Sequence, residues 1–282
     1  MTVRQAILAG AQQLEQAGVP DPRIDAELLL CHVTVLDRMA LLMAGATELT
    51  QEQEQRFSSL LLSRTTRTPV QYLLGTQAFY GRSFQVDERV LIPRQETEEL
   101  CEYGIAYLRT LPRASALDLC TGSGAIAVTL KCECPHTSVT ASDLSADALT
   151  LAVGNARQHH AEITFRQGDL WQPLEGMCFD LILSNPPYIP TQDCTVLQQE
   201  VLQEPRMALD GGADGLDFYR RIASGASAHL TVGGLIAVEV GVHQARAVAA
   251  LFSAAGLCDA AVRKDLYGIE RIVSARRMEA HV

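Results

Sequence analysis

Beyond Pro93, short apolar segments alternate with segments of helical periodicity, and this order restricts the fold more than any other feature of the sequence. Strands separated by helices of about 10 to 15 residues form a parallel sheet that is covered on both faces and binds ligands at the carboxyl ends of its strands. The pattern predicts strands at 115–119, 138–141, 179–183 and 235–240, helices from about 96, 125, 147 and 244, and a closing hairpin of 260–263 with 269–274. We therefore expect an α/β domain over residues 94–282.

The first 75 residues have a different pattern, which is typical of helices. Thr2-x-x-Gln5 and Thr50-x-x-Gln53 are capping boxes, in which the Thr and Gln side chains bind backbone N–H groups at the start of a helix. Apolar residues then recur at steps of three and four. The sequence predicts a small helical bundle over residues 1–75, joined to the α/β domain by a hairpin linker at 76–93 that turns at Gly81-Arg82 and continues to Ile92.

Charge and composition exclude several functional classes. The chain has 23 basic and 33 acidic side chains, a net charge of −10, and no run of Lys and Arg that could follow a phosphate backbone, so we expect no direct nucleic-acid partner. No segment approaches the roughly 18 consecutive apolar residues of a spanning helix, and the start lacks a signal peptide, so we expect a cytoplasmic protein with no membrane partner. The spacings of the 8 Cys and 7 His match no metal site, so no metal is predicted.

A glycine-bearing turn follows the first strand of the α/β domain and leads into a helix. Glycines allow a ligand to approach the backbone closely, and two ligand classes fit the sequence Asp118-Leu-Cys-Thr-Gly122-Ser-Gly124-Ala. One is a nicotinamide dinucleotide, for which Asp143 would bind the ribose. The other is S-adenosylmethionine, whose ammonium and sulfonium groups suit Asp118, whereas a pyrophosphate would be repelled there. Asp169 is placed to accept a hydrogen bond from an adenine amino group.

The sequence Asn185-Pro186-Pro187-Tyr188 follows an apolar strand and indicates which chemical group the site acts on. The two prolines fix the backbone and lack N–H groups, so the neighbouring carbonyls do not take part in sheet hydrogen bonds. The Asn185 side chain and the Pro186 carbonyl can then accept both hydrogens of a planar NH2 group. Such contacts orient a poorly nucleophilic nitrogen toward a methyl group and stabilise its developing charge. Tyr188 is expected to pack on the planar group and exclude water.

These motifs together resemble the HemK/PrmC family, and the resemblance extends over nearly the whole chain. It also includes Pro69-Val-Gln-Tyr72, Phe79-Tyr-Gly81, Leu91-Ile-Pro-Arg-Gln-Glu-Thr-Glu98, Glu204-Pro-Arg-Met-Ala-Leu209 and Gly211 to Arg220. The resemblance implies a seven-stranded Rossmann-like class I methyltransferase domain preceded by a small helical bundle that recognises release factors. The implied reaction is methylation of the side-chain amide nitrogen (N5) of the glutamine in the Gly-Gly-Gln motif of peptide chain release factors, with S-adenosylmethionine as cofactor. Cys120 stands where the family often has Gly, and Gln95 where it often has Pro.

The motifs and the resemblance assign roles to particular residues. Asn185, Pro186 and Tyr188 are expected to be catalytic, and these three with Pro187 to bind the substrate. The expected cofactor contacts are Asp118, Thr121, Gly122, Gly124, Asp143, Leu144, Asp169, Leu170 and Asn185.

Alternative interpretations remain for the function and for four charged residues. Arg94 and Glu96 either border the substrate pocket or form a salt bridge at a helix start, and Glu204 and Arg206 either brace the substrate loop or pair with each other. A DNA amino-methyltransferase acting on adenine N6 fits the same tetrad, but both parts of the chain are acidic: residues 1–75 have 6 basic and 8 acidic side chains, and the remainder has 17 and 25. A non-catalytic module that binds release factors is disfavoured because Asp118, Asp143 and Asn185 are all present.

Overall fold

A computed structural model describes residues 1–279. The chain divides into two compact units: one contains residues 1–76 and 198–203, and the other contains residues 77–197 and the chain from 204 onward. The first unit is helical and the second is an α/β unit.

The helical unit contains α1 (Val3–Gln16), α2 (Pro22–Thr34), α3 (Arg38–Met43), α4 (Gln51–Thr65) and α5 (Val70–Leu74). Both predicted capping boxes are present, at Thr2 before α1 and at Thr50 before α4. The apolar faces of the helices meet in one core, which includes Leu14, Leu29, Leu30, Phe57 and Leu61. This part of the fold follows directly from the helical periodicity of the sequence.

A buried ion-pair network ties the segment 198–203 into the helical unit. The Arg64 guanidinium is nearly inaccessible and donates from Nε to Asp25 at 2.7 Å and from Nη2 to Glu200 at 2.7 Å. Arg67 binds the same Glu200 carboxylate through two hydrogen bonds of 2.7 Å. These guanidinium groups hold the pKa of Glu200 down to about 2, against the opposing effect of burial.

The hairpin is shorter than the sequence pattern indicated. Its strands are β1 (Thr76–Phe79) and β2 (Arg82–Gln85), and the segment from Val90 to Ile92 is not a strand. Tyr80 and Gly81 both have positive φ, at 49° and 71°, which is the geometry of a two-residue turn between twisted strands. The turn therefore reverses the chain at 80–81, and the strands end soon after it on each side.

The α/β unit contains a seven-stranded sheet in the order β5-β4-β3-β6-β7-β9-β8. Pairing is parallel from β5 to β7 and antiparallel between β7, β9 and β8. The strands are β3 (Ser115–Leu119), β4 (Ser138–Asp143), β5 (Ile163–Gln167), β6 (Phe179–Ser184), β7 (Leu230–Glu239), β8 (Cys258–Lys264) and β9 (Glu270–Arg276). This confirms the predicted Rossmann-like sheet with its closing hairpin.

Helices cover both faces of this sheet. The helices α6 (Gln95–Leu108), α7 (Ala125–Glu133) and α8 (Ala146–Gln158) pack on one face, and α9 (Asp217–His229) and α10 (Ala245–Ala254) pack on the other. Alternate strand residues supply the two cores, so Ala116 faces the first group of helices while Leu117 and Leu119 face the second. The strand order reverses at β3, which lies between β4 and β6, and this is where ligands bind in open α/β sheets.

Candidate active site

A cavity of about 240 Å³ lies at the carboxyl ends of β3, β4 and β6. Eight of the residues that the sequence assigned to the site line it: Thr121, Gly122, Asp143, Leu144, Asp169, Leu170, Asn185 and Pro187. Four others, Asp118, Gly124, Pro186 and Tyr188, are not among the lining residues. All the lining residues belong to the α/β unit.

The turn after β3 depends on three residues with left-handed backbone conformations. Cys120, Gly122 and Gly124 have φ angles of 65°, 53° and 81°. A Cβ at Gly124 would lie 3.1 Å from Cβ of Ala152 on α8, so this glycine also permits close packing of the turn. Cys120 adopts a conformation that costs an L side chain free energy and that glycine adopts without this cost.

Asp143 joins the ends of β3 and β4. Its carboxylate accepts a hydrogen bond from the Gly122 N–H at 2.8 Å through Oδ2 and one from the Ser145 N–H at 2.9 Å through Oδ1. Burial raises the pKa of this carboxyl, and the backbone N–H groups oppose that effect. Each carboxylate oxygen has a further lone pair, so Asp143 can still accept hydrogen bonds from a ligand in the cavity.

Asp118 lies behind the turn and not on the cavity wall. The residue is inaccessible to solvent, and its Oδ2 accepts hydrogen bonds from the Thr121 hydroxyl and from the Ala127 N–H, the latter at 3.0 Å. Its Oδ1 is buried without a hydrogen-bond partner among residues 1–279. Burial raises its pKa to about 7, although the two hydrogen bonds act in the opposite direction.

The turn after β5 closes the cavity on the β4 side. Asp169 lines the cavity and accepts a 2.7 Å hydrogen bond from Nη2 of Arg221 on α9. Leu170 follows with a φ of 49° and is buried, while Leu144 after β4 is largely exposed at the cavity. An acidic group flanked by apolar side chains is thereby placed at this end of the cavity.

The two polar atoms of the Asn185 side-chain amide have different surroundings. Its Nδ2 donates to the Thr97 hydroxyl at 3.1 Å, and the Thr97 hydroxyl donates in turn to Oε2 of Glu239 at 2.6 Å. Oδ1 of Asn185 is buried and has no hydrogen-bond partner in the part of the chain that the structure describes. The site therefore contains a fixed acceptor beside the cavity that no group of the described chain satisfies.

The residues after Asn185 are supported by contacts on the side opposite the cavity. Gln244 donates from Nε2 to the Tyr188 carbonyl at 2.8 Å, and a Cβ at Gly211 would lie 2.7 Å from Cα of Tyr188. The Tyr188 ring packs against the core under α9 and α10, and burial raises the pKa of its hydroxyl. Tyr188 therefore supports the loop that carries Asn185 from the side opposite the cavity, and Pro186 lies between Asn185 and Pro187, which both line the cavity.

Two further walls of the cavity contain Arg94, which the sequence placed either at the substrate pocket or in a salt bridge at a helix start, and residues that the sequence did not assign to the site. One side is lined by Arg89, Val90, Leu91, Pro93 and Arg94, and another by Pro205, Met207, Ala208 and Asp210. Glu204 joins these two segments, because its buried carboxylate accepts from the Ile92 N–H at 3.0 Å and pairs with Arg94. The motifs at 91–98 and 204–209 are recognisable in the sequence, but nothing in their spacing indicates this contact.

The ion pairs distinguish between the alternative roles of these charged residues. Glu204 pairs with Arg94, and Arg206 pairs with Asp210 at 3.2 Å, so Glu204 and Arg206 do not pair with each other. Thr97, which the sequence did not assign to the site, lines the cavity and holds Asn185.

Over residues 1–279 the structure has neither a candidate metal-binding cluster nor a membrane-spanning helix. Residues 1–279 contain no group of three or more His, Cys, Asp or Glu side chains suited to hold a metal ion. None of the helices in that part of the chain is long and apolar enough to cross a membrane.

Comparison with known proteins places the chain in a family. It is 44% identical over 277 residues to the release factor glutamine methyltransferase of Geobacter sulfurreducens, a match that covers 98% of this chain and 96% of that protein. The protein of the same name from Deinococcus radiodurans is 41% identical over 277 residues, covering 98% and 99% of the two chains. This chain belongs to the release factor glutamine methyltransferase family.

Family models agree with this membership, and a solved structure is similar in fold. Residues 5–75 match the PrmC N-terminal domain, and residues 105–214 match the methyltransferase small domain. The crystal structure of a methyltransferase from Pyrococcus furiosus is similar in fold, with a TM-score of 0.54 and 17% identity over 71% of this chain and 91% of that chain. The family relationship confirms the class I methyltransferase fold and enzyme class that the sequence motifs predicted.

Proposed function

We propose that this enzyme transfers a methyl group from S-adenosylmethionine to the side-chain amide nitrogen (N5) of the glutamine in the Gly-Gly-Gln motif of a peptide chain release factor. The observation that carries the proposal is the buried Oδ1 of Asn185, which lacks a partner among residues 1–279 at the edge of the cavity. A primary amide supplies the N–H donor that such an acceptor requires. The proposed substrate acts in translation, so the reaction belongs in the cytoplasm.

The cavity has the chemical features of a site for S-adenosylmethionine. Asp143 offers a carboxylate for ribose hydroxyls, Asp169 offers one for a polar group on the base, and Leu144 and Leu170 provide apolar contacts. Thr121 and Gly122 place backbone close to the ligand. Asp118 and Gly124, which lie behind the wall, support the cofactor indirectly by holding the turn in place.

The charges around the cavity favour this cofactor over a dinucleotide. Basic side chains are a common partner of a pyrophosphate, but the two arginines that line the cavity already have acidic partners. Arg89 binds Asp87 with hydrogen bonds of 2.8 and 2.6 Å, and Arg94 pairs with Glu204. The carboxylates at the ends of β4 and β5 add negative charge, which would repel phosphate oxygens.

The proposed chemistry depends on orientation more than on proton transfer. When bound, the cofactor supplies an electrophilic methyl group. Asn185 Oδ1 and the Pro186 carbonyl accept the two amide hydrogens, and this fixes the nitrogen and stabilises the positive charge that develops on it. Tyr188 and Gly211 keep the loop rigid from behind.

We further propose that the helical unit binds the release factor away from its Gly-Gly-Gln loop. A single glutamine side chain offers little surface, whereas specific protein complexes bury about 1,200 to 2,000 Å². The helical unit exposes apolar side chains around α3, including Val35 at 90%, Met39 at 70% and Met43 at 85%. Val35 also has a φ of 58°, an unfavourable conformation for a β-branched residue.

Mass spectrometry of a release factor tests the proposed reaction. After incubation with enzyme and S-adenosylmethionine, we expect a gain of one methyl group on the glutamine of its Gly-Gly-Gln motif. Asn185→Ala should leave cofactor affinity nearly unchanged while lowering the single-turnover rate constant by about 100-fold or more, since it removes one preorganised contact to developing charge. Methylation of duplex DNA but not of the factor would overturn the assignment.

A further inference from the structure

A three-residue hydrogen-bond chain determines which end of the Asn185 amide faces the cavity. Glu239 ends β7, Thr97 lies in the first turn of α6, and Asn185 follows β6, so three separate elements meet here. Thr97 and Glu239 are 5% and 3% exposed. The chain is continuous, with 2.6 Å between Thr97 Oγ1 and Glu239 Oε2 and 3.1 Å between Asn185 Nδ2 and Thr97 Oγ1.

The direction of this chain depends on the proton of Glu239. An ionised carboxylate can only accept, so the single Thr97 hydroxyl proton goes to Glu239 and the hydroxyl oxygen accepts from Asn185 Nδ2. Oδ1 then points away from Thr97 and is free for a substrate amide. A protonated Glu239 can donate to Thr97, which releases the Thr97 proton to bind Asn185 Oδ1. The amide can then turn over, and its NH2 group takes the place of the acceptor.

We propose that Thr97 and Glu239 are positioning residues that hold the Asn185 acceptor toward the substrate only while Glu239 is ionised. The inference rests on the proposed function of Asn185 but concerns two residues that neither motif reasoning nor the family resemblance assigned to the reaction. Neither residue needs to touch the substrate, because both act through the orientation of the Asn185 side chain.

The surroundings of Glu239 allow it to change protonation state near neutrality. Burial raises its pKa to about 7, against the hydrogen bond from Thr97 and the positive charges of Arg271 and Arg94. The other titratable or charged groups that face it come from α6, the loop after β6 and α9: Glu96, Cys101, Tyr188 and Tyr219. Burial raises the pKa values of Cys101, Tyr188 and Tyr219 above their usual alkaline range, so these three stay neutral when Glu239 titrates.

Single-turnover methyl transfer measured against pH tests the inference in the full-length enzyme. In the wild type we expect the rate constant to rise with the ionised fraction of Glu239, about tenfold per pH unit below its pKa and level above it. Glu239→Gln should lower the rate constant at pH 8 by about tenfold or more and remove this rise, while cofactor affinity stays unchanged. A Glu239→Gln enzyme with the wild-type rate and pH profile would overturn the proposal.

Variants of Thr97 separate positioning from packing. Thr97→Val keeps the shape but breaks the chain, so we expect a loss of about tenfold or more in the rate constant with little change in KM, and Thr97→Ser should restore most of the rate. The matched control is Thr129→Val on α7, because Thr129 is equally buried but has no hydrogen-bond partner among residues 1–279. Equal rates in Thr97→Val and Thr129→Val would contradict the proposal.

A measurement that needs no substrate keeps the inference distinct from the proposed function. The side-chain ¹⁵N–¹H resonances of Asn185, assigned by their absence in Asn185→Ala, should shift with a midpoint near the pKa of Glu239. The shift should disappear in Glu239→Gln. If the wild type fails to methylate a release factor, the proposed function is wrong, but the titration still tests the roles of Thr97 and Glu239. Asn185 resonances that do not respond to pH in the wild type would refute those roles.

Discussion

Cys120 is a side chain at a position whose backbone conformation suits glycine better. Its φ of 65° lies in the left-handed region, which costs an L residue about 1 to 2 kcal/mol. Cys134, also half-buried, has a φ of −130° and shows no such strain. The two positions therefore form a matched pair, in which the same substitution should have different effects.

We expect Cys120→Gly to be about 1 to 2 kcal/mol more stable than Cys134→Gly, both measured relative to the wild type by urea unfolding. At position 134 glycine raises the entropy of the unfolded state, which lowers the free energy of unfolding by about 0.5 to 1 kcal/mol, and it relieves no strain. At position 120 the relief of strain offsets that cost and the loss of a small side chain. Equal free energies of unfolding for the two variants would show that the turn imposes no penalty on cysteine.

Asp118 should make the free energy of unfolding depend on pH. Its pKa is about 7 in the folded protein, against an ordinary value of 3.8, so between these values the native state binds more protons than the unfolded state. The free energy of unfolding contributed by this group is therefore highest below about pH 4 and falls as pH rises to about 7. Asp118→Asn removes the charge and keeps an acceptor for Thr121 and Ala127.

We expect Asp118→Asn to gain stability relative to the wild type as pH rises from 5 to 8, by a few kcal/mol at most. Asp143 and Glu239 also have raised pKa values, so they contribute slopes of the same sign in both proteins. The relevant quantity is the difference between variant and wild type, measured by urea unfolding at the two pH values. A difference that does not change with pH would indicate that Asp118 keeps its charge throughout this range.

Two helical glycines, on α6 and α8, differ in the space that a Cβ would find at their positions. A Cβ at Gly104 on α6 would lie 2.7 Å from Cδ1 of the fully buried Leu183, whereas a Cβ at Gly154 on α8 would have its nearest neighbour, Gln85 Oε1, at 3.7 Å. Gly104→Ala should therefore lower the free energy of unfolding by about 1 to 3 kcal/mol. Gly154→Ala should raise it by about 0.5 to 1 kcal/mol, since alanine favours a helix interior. Thermal and urea unfolding of both variants check this, and a gain in both would mean that α6 can move away from β6.

Elements with strong local signals were predictable from the sequence. The bounds of β3, the starts of α6 and α7, and both capping boxes agree closely with the sequence pattern, because buried strands and capped helices carry their signal in a few adjacent residues. The edge strand β5 was missed by periodicity, since only Ile163 and Phe165 among its five residues are apolar and neither is fully buried. Helix α9 was recognised as a motif but not as a helix.

Many residues of the candidate site were predictable from the sequence, but which of them line the cavity and which lie behind its wall was not. Asn185, Asp143 and the turn around Gly122 reach the cavity as the strand order requires. The roles of Thr97, Glu204 and Glu239 depend on hydrogen bonds between residues about 90 to 140 positions apart in the chain, and no local pattern records such contacts. Asp118 lies behind the wall because alternate residues of β3 face opposite sides of the sheet.

On the scale of the whole molecule, the chain enters the helical unit twice. Residues 198–203 belong to that unit although they lie between the Asn185 loop and the cavity wall at 205–210 in sequence. Deleting residues 1–75 would remove the two arginines that bind Glu200 and leave this segment without its partners. Substitutions in the full-length chain are therefore a better test of the helical unit than truncation.

Two exposed methionines on α3 allow a test of the proposed docking of the release factor on the helical unit. Met39 and Met43 are one helical turn apart and both largely exposed, so Met39→Glu with Met43→Glu places two charges on the apolar surface without disturbing a core. Burying such charges against a protein partner is unfavourable, and we expect KM for the intact release factor to rise about tenfold or more. The rate with a short Gly-Gly-Gln peptide should stay at the wild-type value. Leu62→Glu on α4, at a side chain 65% exposed in the same unit, is the control and should change neither value. A double variant that keeps the wild-type KM for the intact factor would show that α3 takes no part in recognition.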